Sequence, residues 1–202
     1  RDYRKLVKIL SKMQSDEFVF HCTRTDVDYT NLFGKFRKKE GSIRVYHRRY
    51  NYYKWKGIGL DIFAIEKTSY LAARLGKLLY GPFVSLFSRI KAGWIRKPLI
   101  RLHQGIYYAV IQPLVRLIGL INPKGKYHYA LGQGWPRHFF YEKDIYPLAT
   151  TEFEGEQFPV PHDMDAYLTN VYGDWRKITS EEQIRRCIHC NDYIQEIFGN
   201  DQ

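Results

Sequence analysis

The chain has 202 residues, 45% of them hydrophobic and 16% aromatic. That composition supports a packed core and excludes extended disorder. Net charge is +11, but it is unevenly placed: Lys67 to Tyr141 holds 12 of the 32 Lys and Arg and none of the 21 Asp and Glu. The basic character thus belongs to one segment. Three cysteines, Cys22, Cys187 and Cys190, form no disulfide framework and fit a reducing compartment. The first residues do not read as a secretory signal, and no apolar run reaches the ~18–20 residues of a membrane-spanning helix.

In chain order, residues 2–14 read as a helix, with Asp2 as cap and Leu6, Ile9, Leu10 and Met13 at helical spacing. A chain that opens one residue before a cap, without Met, reads as cut from something longer. Residues 17–23, EFVFHCT, form a strand; the following loop carries Asp26 and Asp28 as D-x-D. Residues 32–39, LFGKFRKK, alternate apolar and basic. A turn at 40–42 leads to a strand over 43–50 expected to pair with them. GIGLDIFAIE, residues 57–66, is the most apolar strand and is expected to be central.

Residues 69–121 are helical in pattern and basic, and they predict two to four helices, with Pro82, Pro98 and Pro113 at starts or kinks. Leu, Ile, Phe and Trp mix with Arg and Lys that have no acidic i,i+4 partners. Helices lying on an anionic membrane have this composition. So does a helical subdomain packed on a sheet with solvated basic rims. Residues 122–142 read as a loop packing through its aromatics. Residues 145–161 read as a hairpin turning at Glu154-Gly155-Glu156 between Phe153 and Phe158. Asp163 caps a helix through Val171 that Gly173 ends, and Ser180 with Gln183 opens a last helix through about Phe198.

Three constellations can carry chemistry. Cys187-x-x-Cys190 with His189 can be half of a zinc site or a redox pair. Only His21 and Cys22 could complete it, and the pattern also fits core cysteines of a helix. Lys35, Arg37, Lys38, Lys39, Arg44, Arg48 and Arg49 lie on adjoining strands and can hold phosphates, or simply form a solvated face. Nucleic acid is not expected as a partner, because no RRM pair, zinc finger or GXXG loop accompanies the charge. Asp61 stands inside an apolar run, where a carboxylate is costly unless paired. Beside a phosphate-binding surface it can be a Mg²⁺ ligand, but such centres need two or three carboxylates. Nothing in the sequence orders the Asp26–Asp28 loop against it.

Residues 145–175, IYPLATTEFEGEQFPVPHDMDAYLTNVYGDW, closely resemble the C-terminal signature of the LicD family. GIGLDIF resembles its Asp-Ile-Phe strand, LFGKFRKKEGS its basic strand and turn, and RDYRKLVKIL the helix after its metal motif. Ala64 stands where the family often has Pro. The match spans most of the chain and is weakest over 69–141. It implies a nucleotidyltransferase-like α+β fold with a mixed or antiparallel sheet, in one domain over 1–202. Helix and sheet would occupy 1–66, a basic helical insertion 67–141, and a hairpin plus helices 142–202.

The resemblance further implies a phosphotransferase that moves a phospho-alcohol, typically phosphocholine from CDP-choline, onto a cell-surface glycan such as lipopolysaccharide or teichoic acid. Fukutin-related enzymes that transfer ribitol phosphate are relatives of the family. Asp61 would bind Mg²⁺ (or Mn²⁺) or act as base, and Lys35, Arg37 and Lys38 would steady the donor phosphates. Glu154 and Asp174 would be structural. The family's Asp-x-Asp ligands would lie just upstream of Arg1, so this polypeptide alone is expected to be inactive. A cytoplasmic enzyme, peripheral at the inner face of the membrane through 69–121, follows as an expectation. The alternative is a non-catalytic membrane- or glycan-docking scaffold of the same family.

Overall fold

A computed structural model describes residues 2–13, 15–42, 48–122, 124–130, 132, 136–177 and 179–187. The fold is α+β, with small antiparallel sheets and several helices, in two compact units. One comprises Arg1–Ala64, Leu79–Ala109 and Thr179–Gln202; the other comprises Ile65–Leu78 and Val110–Ile178.

In the first unit, α1 (Asp2–Leu10) precedes a sheet ordered β1 (Phe18–His21), β2 (Gly34–Lys38), β3 (Gly59–Ile62). The register sets His21 opposite Lys35 and Lys35 opposite Asp61. Opposed residues share a face, so His21, Lys35 and Asp61 form one polar row. Phe18, Phe20, Phe36 and Leu60 take the other face, with Phe18 and Phe36 stacked at 5.6 Å. Gly34 is required there: a Cβ would stand 2.1 Å from the Phe20 ring. This unit also takes the second part of α2 (Tyr70–Phe87) and α3 (Gly93–Ile106). Tyr80 of α2 packs against His103 and Tyr107, at 5.1 and 4.8 Å, and donates to the Thr30 carbonyl at 2.8 Å. That bond ties the loop after β1 to the helix.

In the second unit, β4 (Ile65–Lys67), β5 (Tyr127–Tyr129) and β6 (Phe139–Phe140) form one sheet, and β7 (Ala149–Phe153) pairs with β8 (Glu156–Val160) in another. After a π turn over Tyr107–Ile111, α4 (Gln112–Gly119) packs Val115 on Ala72 of α2, with Leu75, Ile111 and Ile118 around them. The Asn122 amide donates to the Thr68 and Lys126 carbonyls, both at 2.8 Å, and its Oδ1 accepts from the Lys126 N–H. It thereby fastens the end of the helical stretch to β4 and β5. After α5 (Glu142–Ile145), the hairpin turns at Glu154 and Gly155, with φ of 52° and 82°. Asp163 caps α6 (Met164–Tyr172) by accepting from the Ala166 N–H at 2.9 Å, and Tyr167 stacks on Phe140 at 4.8 Å. Ser180 caps α7 (Glu181–Cys187) at the Gln183 N–H; the expected continuation of that helix, with His189 and Cys190, lies outside the described residues.

Three expectations need correction. The run 57–66 is not one central strand. It divides into β3 and β4 of separate sheets, and β3 is an edge strand with Leu60 72% exposed. No further strand pairs beside it among the described residues, and nothing covers the Leu60 side chain there. The strand expected over 43–50 falls largely on 43–47, outside the described residues; its end lies in a 3-10 helix over Arg48–Tyr52, and β2 pairs with β1 and β3. Residues 122–142 are more than a loop, since β5 and β6 pair there through Tyr127, His128, Phe139 and Phe140.

Candidate functional site

Direct opposition on β2 and β3 brings Lys35 and Asp61 into an ion pair on the polar face of the first sheet. Asp61 sits on the edge strand, with 33% of its side chain accessible. Arg37 lies two residues beyond Lys35 on the same face but is buried, and its Nη1 donates to the Gly57 carbonyl at 3.0 Å. Burial lowers its pKa, and its role there is to hold the backbone that enters β3. Lys38 points to the opposite face and pairs with Glu17 at 3.4 Å. Of the three basic residues singled out in the sequence, Lys35 alone meets Asp61.

The D-x-D loop is ordered after all, by partners that local sequence does not reveal. His21 is fully buried, and its Nε2–H donates to Asp26 Oδ2 at 2.8 Å. Its ring lies 4.2 Å from Tyr29 and 5.1 Å from Trp55. Burial holds the imidazole below its ordinary pKa despite Asp26, so it is neutral at pH 7. Burial also pushes Asp26 upward. Hydrogen bonds from His21 and from the Lys54 and Asp28 N–H groups outweigh that and keep the carboxyl below its usual range.

Asp28 is claimed by Arg96 of α3, whose Nε donates to it at 2.8 Å. Arg96 Nη1 donates to the Ile90 and Lys91 carbonyls, and its guanidinium lies 3.5 Å from the Tyr52 ring centroid. Both carboxylates of the motif are therefore occupied in building the unit. Among the described residues, no group of three or more His, Cys, Asp or Glu could hold a metal ion. Asp61 faces a lysine and not a second carboxylate. These donors alone do not fit a complete Mg²⁺ or Mn²⁺ centre. Cys22 is a free, buried thiol.

The second unit has a cleft of about 470 Å³, lined by Tyr70, Lys124, Lys126, His128, Arg137 and Phe139 among others. Lys126 Nζ sits 3.5 Å from the Phe139 ring centroid and 5.3 Å from that of Tyr141. His128 Nδ1–H donates to the His138 carbonyl at 3.1 Å, and burial lowers its pKa, leaving it neutral. Three cations over an aromatic floor, with no carboxylate among the described lining residues, suit an anion that also carries a flat or apolar group. The acid-free run from Lys67 to Tyr141 was the available signal for this cleft; pairing of β5 with β6 is what gathers its side chains.

Searches of family models, of curated proteins and of solved structures each found no match to this chain.

Proposed function

We propose that this chain is a LicD-type phosphotransferase domain that moves a phospho-alcohol from a CDP-activated donor to a glycan hydroxyl. The observation that carries the reading is the Lys35–Asp61 pair on the accessible edge of a basic antiparallel sheet. A carboxylate on an edge strand can accept the proton of an incoming hydroxyl, and the adjacent ammonium can stabilise charge on the transferring phosphoryl group. In the reaction, the glycan hydroxyl oxygen bonds to the phosphorus of the phospho-alcohol. The bond from that phosphorus to the bridging oxygen breaks, CMP leaves with the electron pair, and the hydroxyl proton passes to Asp61. Arg37 serves indirectly by fixing the entry to β3. Support also comes from the family-like segments: the Phe-Glu-Gly turn, the Asp163 cap and the Tyr-Gly-Asp-Trp helix end all form defined local structures. Dependence on Mg²⁺ or Mn²⁺ belongs to the proposal as the alternative role of Asp61, as one ligand instead of base; a full centre needs carboxylates beyond those gathered here.

The test uses the natural full-length polypeptide, CDP-choline and a glycan acceptor, following CMP release with and without Mg²⁺. Asp61→Asn should lower turnover by about 100-fold or more while leaving the urea midpoint unchanged. Wild-type protein that releases no CMP, or an Asp61→Asn variant within twofold of wild type by about the same assay error, would overturn the reading. A second reading, a non-catalytic docking relative of the family, is favoured by the engagement of Asp61 with Lys35, Asp26 with His21 and Asp28 with Arg96. It expects glycan binding without CMP release.

A further inference from the structure

We infer that the outward ridges of α3 and α4 are docking surfaces for an anionic lipid membrane. The inference rests on these surfaces and not on the phosphotransferase reading. In α3 the core face is Arg96, Ile100 and His103. At 100° per residue, Trp94, Pro98 and Gly105 lie directly opposite, with Arg101 on one shoulder of that ridge and Leu102 on the other. Trp94 is 81% exposed and Leu102 62%. In α4 the core face is Gln112, Val115 and Gly119. Opposite it stand Pro113, Leu114 and Leu117, followed by Leu120 and Ile121 just past the helix end. Leu117 is 62% exposed and Leu120 80%. A helix facing water carries mostly charge on its outer side; here the outer side of α3 presents Trp94 and Leu102 beside Arg101, and that of α4 presents Leu114 and Leu117 without a charge.

Charge complementarity identifies the occupant. Exposed Arg101 stands on the shoulder of the α3 ridge, exposed Arg89 and Lys91 lie in the segment just before α3, Lys97 is half-exposed 3.8 Å from Asp28, and no acidic side chain occurs anywhere from Lys67 to Tyr141. Arg116, the basic residue within α4, is paired with Glu66 at 3.0 Å. A second copy of the chain would bring like charges together, whereas anionic headgroups neutralise them while Trp and Leu enter the acyl boundary. No helix among the described residues is long and apolar enough to cross a membrane, so the mode is in-plane.

The natural polypeptide should be sedimented with vesicles of phosphatidylcholine alone, or with about one third phosphatidylglycerol, at low and high salt. Binding should require phosphatidylglycerol and weaken as salt rises. Leu102→Glu and Leu117→Glu should each lower partitioning about tenfold. Both side chains are exposed, so thermal unfolding followed by circular dichroism should match wild type; Arg101→Glu provides a check that removes no apolar group and should also weaken binding. The proposal fails if the protein ignores anionic vesicles or binds neutral ones equally. It also fails if the variants bind like wild type, or if Leu102→Glu instead abolishes a dimer seen without lipid.

Discussion

Arg96→Met is the substitution that best tests how the D-x-D loop is built. Arg96 and Asp28 side chains are each only 6% exposed, and the bond between them is 2.8 Å. Removing one member of a buried pair strands the other, at a cost of about 3–5 kcal/mol. Met restores much of the packing volume and so isolates the charge. Lys97 Nζ, 3.8 Å from Asp28, compensates weakly because it is half-exposed. The lost bonds to the Ile90 and Lys91 carbonyls come from a charged donor and add to that cost, by about 1.5–3 kcal/mol each. Asp28→Asn should cost less, about 2 kcal/mol, because Arg96 keeps those carbonyls and the Tyr52 face. The double variant should reveal a coupling of about 2 kcal/mol or more. Urea unfolding at pH 7 measures all three, with unchanged m-values showing that the denatured state is not altered. A loss below about 1 kcal/mol for Arg96→Met, or additive singles, would refute the buried-pair account. Asp28 would then be available as a metal ligand.

Two further outcomes concern the buried histidines and Gly34. His21 has a folded pKa below the unfolded value of 6.5, so the unfolded chain binds more protons once pH falls under that value. Stability should be complete above 6.5 and decline toward acid, by no more than about 1.4 kcal/mol per pH unit for each such histidine; His103 and His128 shift in the same direction. Asp26, held below 3.8, adds a separate loss only beneath that pH. Urea midpoints from pH 7.5 to 4.5 check the sign, and His21→Gln, which keeps a donor for Asp26, should flatten the upper part of the decline. Gly34→Ala should cost about 1–3 kcal/mol by overpacking, since its Cβ would meet the fully buried Phe20 ring. A neutral result in the same urea assay would show that the ring can move.

Elements built from neighbouring residues were legible in the sequence. Glu154-Gly155 turns the hairpin, Asp163 and Gly173 bound α6, and the apolar periodicity of 69–121 resolves into α2, α3 and α4. Each depends on capping, turn geometry or helical spacing, which act over a few residues. The Lys35–Asp61 pair needed the β2–β3 register, and a one-residue slip would put Asp61 opposite Phe36 or Gly34. Whether GLDI is an edge or a centre depends on which strands arrive beside it, and its apolar composition is the same either way. Arg96 finds Asp28 across 68 residues, so nothing near either one announces the pair. For 69–121, the sequence alone determined that the helices are basic and apolar. Only the tertiary structure decided which residues the core takes and which face outward: it buries Arg96, His103 and Gln112 and leaves Trp94, Leu102 and Leu117 exposed, because the partner a helix packs against selects its inner face.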